Sequence, residues 1–325
     1  MDKSKLTFWC NNAFLRAHES EVRLLKEAVG ERRLLMFAED DESDAAHNAL
    51  RASHIAFGYP SPAVALQSEN LRWIQLNSAG YTSYDHDDIK RQLVEQGIAL
   101  TNSSSVYDEP CAQHLLAMIT SLARQLPAAL DSQRTDRAWE MDRLRTSSPL
   151  LNGQTVLILG FGAIARRLVE LLDPLHMNLI AVRRQVKGDE PIRVEDITKV
   201  DTLLPRADHV VNILPANDQT KNLLNAARLA LLKPGAIVYN IGRGVTLDQD
   251  ALRKELESGR LSAAYLDVTD PEPLPPSHPL WTTRNCFITP HSGGGHSIEK
   301  ERQVKHFLIN LERFELGKEL IDRVL

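Results

Sequence analysis

A series of short apolar runs in the second half of the chain constrains the fold more than any other feature. Six runs, nearly continuous in Val, Ile, Leu and Ala, follow residue 153, and helix-like segments separate most of them: TVLILG, NLIAVR, HVVNIL, AIVYNI, LSAAYLD and NCFIT. A strand needs apolar residues on both faces when helices cover both sides of its sheet. The pattern therefore predicts a parallel, doubly wound α/β sheet.

The first hundred residues show a similar alternation on a smaller scale. Apolar runs alternate there with polar, helix-prone stretches: LTFWC, RLLMF, HIAFG, LRWIQL and GIALTN. This pattern predicts a second, smaller α/β unit. A chain of 325 residues suits two domains of ordinary size. Between the two units we predict an amphipathic helix over 108–126, with Pro110 in its first turn and Pro127 after its end. A polar connection or projecting arm is expected over 128–150.

Composition excludes several functional classes. The net charge is −5 with both signs interspersed, so no basic stripe favours nucleic acid and no polybasic run favours a membrane surface. Cys10, Cys111 and Cys286 are far apart and never in a CxxC spacing, which argues against disulfides and a zinc site. No segment approaches ~18 uninterrupted apolar residues, and the N-terminus lacks a secretory pattern. We expect a cytoplasmic protein without a metal that acts on small molecules.

The stretch GFGAIA, Gly160 to Ala165, follows the run TVLI and opens a predicted helix. Gly160 permits a tight turn, Gly162 lets the backbone approach a pyrophosphate, and Ala165 is small enough for close packing of helix and strand. The helix N-terminus adds N–H donors for an anion. We predict a dinucleotide site here with contacts from Gly160, Phe161, Gly162, Ala163 and Ile164. The alternative is an ordinary glycine-rich turn without a ligand.

Two arginines end the next predicted strand, where dinucleotide-binding chains usually carry an acid. A carboxylate there would accept hydrogen bonds from the adenosine ribose of NAD, whereas the donors of Arg183 and Arg184 pair with phosphate oxygens. We therefore predict that NADP(H) is preferred and that NAD(H) is possible. The alternative is a solvated basic strand end in a protein that accepts both cofactors.

Three further segments follow predicted strands, namely NIGRG at 240–244, LDVTDPEPLP at 266–275 and ITPHSGG at 288–294. Ligands of an open α/β sheet bind outside the carboxyl ends of its strands, so these loops should converge. They supply Arg243, Glu272 and His291. Arg243 would bind a carboxylate and polarise a carbonyl, His291 would protonate the oxygen, and Glu272 would orient the imidazole. These residue types suit reduction of a 2-keto acid.

The chain resembles the D-isomer-specific 2-hydroxyacid dehydrogenase family over nearly its whole length. The motifs KPGAIVYNIGRG, GRLSAAYLDVTDPEPLP, HPLW and ITPHSGG follow in the family's order and spacing. The resemblance implies that Arg243, Glu272 and His291 are catalytic and that Asp267 contacts the nicotinamide carboxamide, unless Asp267 is only a cap. It also implies that backbone N–H groups of Ala79 and Gly80, in the SAG loop, bind the substrate carboxylate.

Further cofactor contacts are expected from residues at the same strand ends: Leu214, Pro215, Ile241, Gly242, Arg243, His291 and Gly293. The other histidines, including His114 and His209, are expected to have surface or structural roles. The sequence departs from the family at Gln113, where many relatives have Glu, and in the segments DVTDPEP and TNSSSV. The substrate therefore cannot be taken over from the family.

The resemblance also implies the order of the domains. Residues 1–104 and 297–325 would form a flavodoxin-like substrate domain, and residues 105–296 a Rossmann dinucleotide-binding domain. The helix at 108–126 and the arm around Trp139 resemble the family's dimer contacts, which implies a homodimer. The expected function is an oxidoreductase that converts a small 2-keto acid to a D-2-hydroxy acid, similar to glyoxylate/hydroxypyruvate reductases. The alternative is a dinucleotide-sensing binding protein similar to the family's corepressors.

Overall fold

The computed structural model describes residues 2–16 and 18–325, which contain twelve strands and twelve α-helices. The strands are β1 (Thr7–Asn11), β2 (Arg33–Phe37), β3 (Ile55–Gly58), β4 (Trp73–Leu76), β5 (Ala99–Thr101), β6 (Thr155–Leu159), β7 (Asn178–Arg183), β8 (Arg193–Asp196), β9 (His209–Asn212), β10 (Ile237–Asn240), β11 (Ala263–Leu266) and β12 (Cys286–Ile288). The helices are α1 (Glu19–Val29), α2 (Asp44–Arg51), α3 (Pro62–Ala65), α4 (Asp87–Glu95), α5 (Ser104–Ala123), α6 (Leu126–Arg134), α7 (Met141–Thr146), α8 (Ala163–Leu172), α9 (Val200–Leu203), α10 (Ala226–Leu229), α11 (Gln249–Glu257) and α12 (Glu299–Glu315).

The chain forms two compact units. The first comprises Met1–Tyr107 and Gly295–Leu325, and the second comprises Asp108–Gly294. The sequence placed these limits after residues 104 and 296, and the structure places them after residues 107 and 294. Within the described residues, no helix has both the length and the apolar character needed to cross a membrane.

The first unit contains a parallel five-stranded sheet in the order β2-β1-β3-β4-β5. This is the flavodoxin-like order, as predicted. Helix α12 returns to this unit from the end of the chain, because Phe307 stacks on Phe57 with ring centroids 4.4 Å apart and on Trp73 at 5.3 Å. All three aromatic side chains are at most 1% exposed. The C-terminal helix therefore completes the core of the N-terminal unit.

The second unit contains a parallel seven-stranded sheet in the order β12-β11-β10-β9-β6-β7-β8. All six predicted runs form strands, and the doubly wound α/β fold is confirmed. The strand order reverses between β6 and β9, which is where ligands bind in such sheets. The sequence did not predict β8, because its segment Arg193–Asp196 is polar and forms an edge strand of the sheet.

The long helix differs from the prediction. It begins at Ser104 rather than at residue 108, so Pro110 lies inside the helix and not in its first turn. Pro127 does not follow the helix end but lies in the first turn of α6. The segment expected to be a connection contains α6 and α7, on which apolar side chains are exposed.

Candidate active site

The phosphate turn lies at the carboxyl end of β6. Gly160 has a φ of 96°, a left-handed conformation that favours glycine, and its N–H donates to Val182 O at 2.9 Å. Gly162 is the N-cap of α8, and a Cβ built there would meet no atom within 4 Å. Ala165 is fully buried against the sheet. The turn therefore leaves open space and uncapped N–H donors at a helix N-terminus, which fits a dinucleotide pyrophosphate.

The remaining residues of this turn have unequal exposure. Phe161 is 4% exposed, and the guanidinium of Arg166 lies over its ring at 5.0 Å from the centroid. Ala163 and Ile164, in the first turn of α8, are half-buried. The packing of Phe161 fixes the backbone of the turn, whereas its neighbours remain accessible to a ligand.

A buried pair of asparagines organises the ends of β9 and β10. Asn212 and Asn240 are register partners, and Asn212 Nδ2 donates to Asn240 Oδ1 at 3.3 Å and to Thr246 Oγ1 at 2.6 Å. Asn240 Oδ1 accepts from Gly242 N, and Asn212 Oδ1 accepts from Leu214 N. These bonds shape the two loops that carry predicted cofactor contacts. The sequence did not predict these bonds, although an Asn lies in both apolar runs.

The predicted contacts on these two loops differ in burial. Leu214 and Ile241 are 7% and 6% exposed, Gly242 is buried, and Pro215 is exposed. Leu214 and Ile241 therefore offer apolar surface close to the backbone, and Pro215 lies furthest toward solvent.

Glu272 and His291 are in direct contact. Glu272 Oε1 forms a short hydrogen bond with His291 Nδ1, and the two side chains are 41% and 46% exposed. His291 has a φ of 50°, and its N–H donates to Asp267 O at 2.9 Å and Thr289 O at 3.0 Å. The backbone of His291 is therefore fixed in a strained conformation, while its imidazole ring reaches solvent.

Arg243 follows β10, the strand next to β11. Its Nη1 donates to Gly242 O at 2.6 Å, and its own carbonyl accepts from Asn240 Nδ2 at 3.1 Å. Burial raises the pKa of the Cys111 thiol to about 12; the carboxylate of Asp267 contributes to this rise, and the guanidinium of Arg243 opposes it. The charges of Arg243 and Asp267 therefore both act on one buried thiol.

Asp267 follows β11 and is 2% exposed. Its Oδ1 accepts from Thr289 Oγ1 at 2.6 Å, Ser292 N at 2.9 Å and Gly293 N at 3.1 Å, and its Oδ2 accepts from Gly293 N at 3.0 Å. A Cβ at Gly293 would come within 2.8 Å of Asp267 Oδ2 and of Ile241. Only glycine fits this close approach, so the carboxylate and the 289–293 loop determine each other's position.

The two strand-end arginines have different surroundings. Arg183 Nη1 lies 3.3 Å from Glu190 Oε1, and this carboxylate also accepts from the N–H groups of Lys187 and Gly188. Those backbone bonds hold the pKa of Glu190 below its usual value, with a smaller contribution from Arg183. Arg184 is exposed, and its Nη1 is 3.4 Å from Gln219 Oε1. Each guanidinium thus uses one Nη1 donor, and that of Arg184 is the more exposed to a ligand.

The SAG loop belongs to the first unit and follows β4. Ser78 Oγ donates to Gly80 O at 2.6 Å, Asn102 Nδ2 donates to Ala79 O at 2.8 Å, and Ser103 N donates to Ser78 O at 2.9 Å. Ala79 and Gly80 are thus held by their carbonyl groups. No group of three or more His, Cys, Asp and Glu side chains among the described residues could hold a metal ion.

Comparison with known proteins decides the family. Residues 116–293, more than half of the chain, match the family described as D-isomer specific 2-hydroxyacid dehydrogenase, NAD binding domain. The chain belongs to this family. The enzyme is therefore an oxidoreductase that uses a nicotinamide dinucleotide.

Relatives of this enzyme agree over most of its length. It is 32% identical to the glyoxylate reductase of Aeropyrum pernix over 260 residues, and this match covers 78% of this chain and 76% of that protein. It is 30% identical over 226 residues to the human glyoxylate reductase/hydroxypyruvate reductase, which covers 69% of this chain and 68% of the human one. The crystal structure of a D-isomer specific 2-hydroxyacid dehydrogenase family protein from Aeromonas salmonicida matches with a TM-score of 0.77 at 29% identity and 99% coverage of both chains.

Proposed function

We propose that this enzyme reduces a small 2-keto acid to the D-2-hydroxy acid, with NADPH preferred over NADH. The observation that carries the proposal is the direct contact of Glu272 with His291. These residues and Arg243 lie in loops at the carboxyl ends of three neighbouring strands, β10, β11 and β12. A proton donor and a carboxylate-binding cation are the groups that such a reduction requires. The dinucleotide supplies the hydride. Glyoxylate and hydroxypyruvate are the candidate substrates that the named relatives suggest.

Each of the three residues has one role. Arg243 binds the substrate carboxylate through its guanidinium and polarises the carbonyl that is reduced. His291 Nδ1 faces Glu272, so Nε2 carries the proton that passes to the carbonyl oxygen. Glu272 orients the ring and stabilises the positive charge of the imidazolium. The exposed fraction of the pair gives the proton on His291 a path from solvent after each turnover.

Asp267 orients the nicotinamide end of the dinucleotide. Its Oδ1 is occupied by three donors, whereas Oδ2 accepts from one N–H and keeps a lone pair. A carboxamide N–H₂ is the matching donor. The carboxylate is therefore both a cap for the 289–293 loop and a ligand for the cofactor.

The 2′-phosphate of NADPH is bound by Arg184, and Arg183 supports the loop. Arg183 is paired with Glu190, whose side chain is only 3% exposed. A carboxylate at this place would repel a phosphate unless a cation neutralises it. Arg183 provides that neutralisation, and the exposed donors of Arg184 remain for the phosphate oxygens.

The two units have separate roles. The unit Asp108–Gly294 binds the dinucleotide, because it carries the phosphate turn and the strand-end loops. The unit of Met1–Tyr107 with Gly295–Leu325 is the substrate domain, and its Ala79 and Gly80 donate backbone N–H groups to the substrate carboxylate. The three cysteines are free, which suits a reducing cytoplasm.

The enzyme works as a homodimer. Exposed apolar side chains concentrate on α6, α7 and the residues around them, and Trp139 is 92% exposed. A group of exposed apolar side chains along one segment is typical of a protein interface. Its members are Leu126, Leu130, Trp139, Met141 and Leu150. Light scattering tests the assembly, because a mass of 36.4 kDa, one chain, would contradict it.

A panel of 2-keto acids with NADPH and NADH tests the proposed reaction. We expect loss of the reduced-nicotinamide absorbance with glyoxylate, hydroxypyruvate or pyruvate, and faster turnover at low cofactor concentration with NADPH. Tighter binding of NADH than of NADPH would refute the cofactor preference. Binding of cofactor without turnover across the panel would instead favour a dinucleotide-sensing role.

A further inference from the structure

A buried tyrosine connects the long helix to the proposed nicotinamide site. Tyr265, in β11, is fully buried, and its hydroxyl forms a short hydrogen bond with His114 Nε2 on α5. The same hydroxyl lies 2.5 Å from Thr289 Oγ1, and Thr289 Oγ1 lies 2.6 Å from Asp267 Oδ1. The four side chains therefore form one continuous row of hydrogen bonds, His114–Tyr265–Thr289–Asp267, which we call the relay.

The direction of the bond from Thr289 to Asp267 leaves only one order for the protons in the relay. A threonine hydroxyl has a single proton, and Thr289 donates it to Asp267 Oδ1. Tyr265 must then donate its own proton to Thr289, because the reverse direction would need a second proton on Thr289. Burial raises the pKa of Tyr265, so its hydroxyl stays protonated. His114 must therefore donate to Tyr265 from a protonated Nε2.

The relay ends on the residues that hold the catalytic histidine. The N–H of His291 donates to the carbonyl oxygens of both Asp267 and Thr289. The side chains of these two residues are the last members of the relay. The hydroxyl row and the backbone support of His291 therefore share the residues Asp267 and Thr289.

We propose that His114, Tyr265 and Thr289 are positioning residues, which hold the Asp267 carboxylate with Oδ2 directed to the nicotinamide end of the dinucleotide. This inference rests on the role proposed for Asp267. None of the three touches the reacting atoms in this account. Their effect is transmitted through hydrogen bonds that are partly buried, where an unmade bond is costly.

The neighbouring strand supplies a matched control. Tyr239 in β10 is the register partner of Tyr265, is also fully buried, and its hydroxyl bonds to a histidine, His209 Nδ1 at 3.1 Å. His209 Nε2 in turn bonds to Gln154 Oε1 at 2.6 Å. This second row does not include Asp267. Removing the Tyr239 hydroxyl thus deletes a similar buried hydrogen bond without touching the relay.

Two ligands separate a positioning effect from a general loss of structure. NADPH contains the nicotinamide ring, and 2′-phospho-ADP-ribose lacks it. We expect Tyr265→Phe to weaken NADPH binding roughly threefold to tenfold, the value of one hydrogen bond, and to leave 2′-phospho-ADP-ribose binding unchanged. Tyr239→Phe should leave both dissociation constants unchanged. Equal weakening of both ligands by Tyr265→Phe, or no weakening of either, would overturn the proposal.

Thr289→Val provides a second test, and the binding measurement on this single variant applies even if Tyr265→Phe does not fold. It should weaken NADPH selectively, and adding Tyr265→Phe should cause no further loss, because one broken link already disconnects the row. Additive losses would show that the two residues act separately, which contradicts the relay.

The state of His114 is a direct spectroscopic readout. In the NMR spectrum of ¹⁵N-labelled wild-type enzyme, Nε2 of His114 should carry a proton. In Tyr265→Phe, the preference for a proton on Nε2 over Nδ1 should be lost. A neutral His114 protonated only on Nδ1 would reverse the row and overturn the proposal. Asp267→Asn separates the role of Asp267 from that of the relay. If Asp267→Asn leaves NADPH binding unchanged, the role proposed for Asp267 is wrong. If Asp267→Asn weakens NADPH binding and Tyr265→Phe does not, only the relay is refuted.

Discussion

Two histidines at opposite ends of the strands of the seven-stranded sheet show how location changes what the same side chain does. His209 begins β9, is 2% exposed, and has both ring nitrogens bonded to Tyr239 and Gln154. His291 follows β12, is 46% exposed at its side chain, and is bonded through Nδ1 to Glu272. Both ring nitrogens of His209 are therefore engaged in hydrogen bonds inside the protein. His291 retains a nitrogen that can exchange a proton.

The difference follows from the geometry of parallel sheets. Loops at the carboxyl ends of the strands converge around a ligand, whereas His209, at the amino end of β9, is buried against Tyr239 and Gln154. Burial accordingly lowers the pKa of His209 to about 4, and the neighbouring Asp208 carboxylate opposes this only in part. A histidine in that state stays neutral near pH 7 and contributes to stability alone. We therefore expect replacement of His291 to change activity and replacement of His209 to change folding stability.

Replacement of the exposed histidine should have the largest effect. We expect His291→Ala to lower the turnover of keto-acid reduction roughly 10²-fold to 10⁴-fold, because positioned acid–base catalysis contributes that much. The rate of NADPH consumption at saturating keto acid measures it. Thermal unfolding should be little changed, since His291 is on the surface. A turnover equal to that of the wild type would remove His291 from the mechanism.

The buried histidine should affect stability through pH. Its pKa falls from 6.5 in the unfolded chain to about 4 in the folded protein, so between these values the unfolded state binds more protons. The stabilisation is complete above pH 6.5 and is lost as the pH falls toward 4. Each pKa unit corresponds to about 1.4 kcal/mol, which makes the contribution of His209 about 3 kcal/mol.

Urea unfolding at a series of pH values measures this contribution. Between pH 7 and pH 4, the unfolding free energy of the wild type should fall more steeply than that of His209→Gln, which cannot bind the extra proton. The variant should keep its turnover at pH 7. Parallel pH profiles of the two proteins would show that His209 is not the group that titrates.

Much of the fold was predictable because it depends on local pattern. The apolar runs identify the buried strands, and the turn at Gly160 follows from its place between a strand and a helix. Strand β8 was missed because its edge position leaves Arg193 exposed, so that no apolar run marks it. The start of α5 was not predictable, because a proline is typical of the first turn of a helix, whereas Pro110 lies inside α5.

The candidate site was predictable only in part. Arg243, Glu272 and His291 stand in loops after recognisable strands, and their roles stay predictions. The relay was not predictable, because His114 and Tyr265 are 151 positions apart and meet only once α5 covers β11. The Glu190–Arg183 pair was missed for a similar reason: nothing in the loop composition shows which acid turns back to the strand end.

Arg243→Ala should separate substrate binding from cofactor binding. Loss of a hydrogen-bonded guanidinium should raise the KM for the keto acid roughly 10-fold to 100-fold, the value of a charge-assisted interaction. The dissociation constant of NADPH should change little, because Nη1 of Arg243 is bonded to Gly242 O and not to the phosphate turn. Steady-state kinetics and cofactor titration give the two values. Equal weakening of both ligands would contradict the assigned role.

The smallest effect is expected at Arg184, which follows β7 directly. Arg184→Gln should lower the affinity for NADPH relative to NADH roughly threefold to tenfold, because an exposed charge pair contributes modestly. Arg193→Gln removes the same charge from a neighbouring strand, where the guanidinium is paired with Glu195 at 2.8 Å, and should leave the ratio unchanged. Titrations at low ionic strength should enlarge the effect of Arg184→Gln, since salt screens exposed charges. If both variants shift the ratio equally, the preference reflects the net charge of this surface and not a phosphate ligand at Arg184.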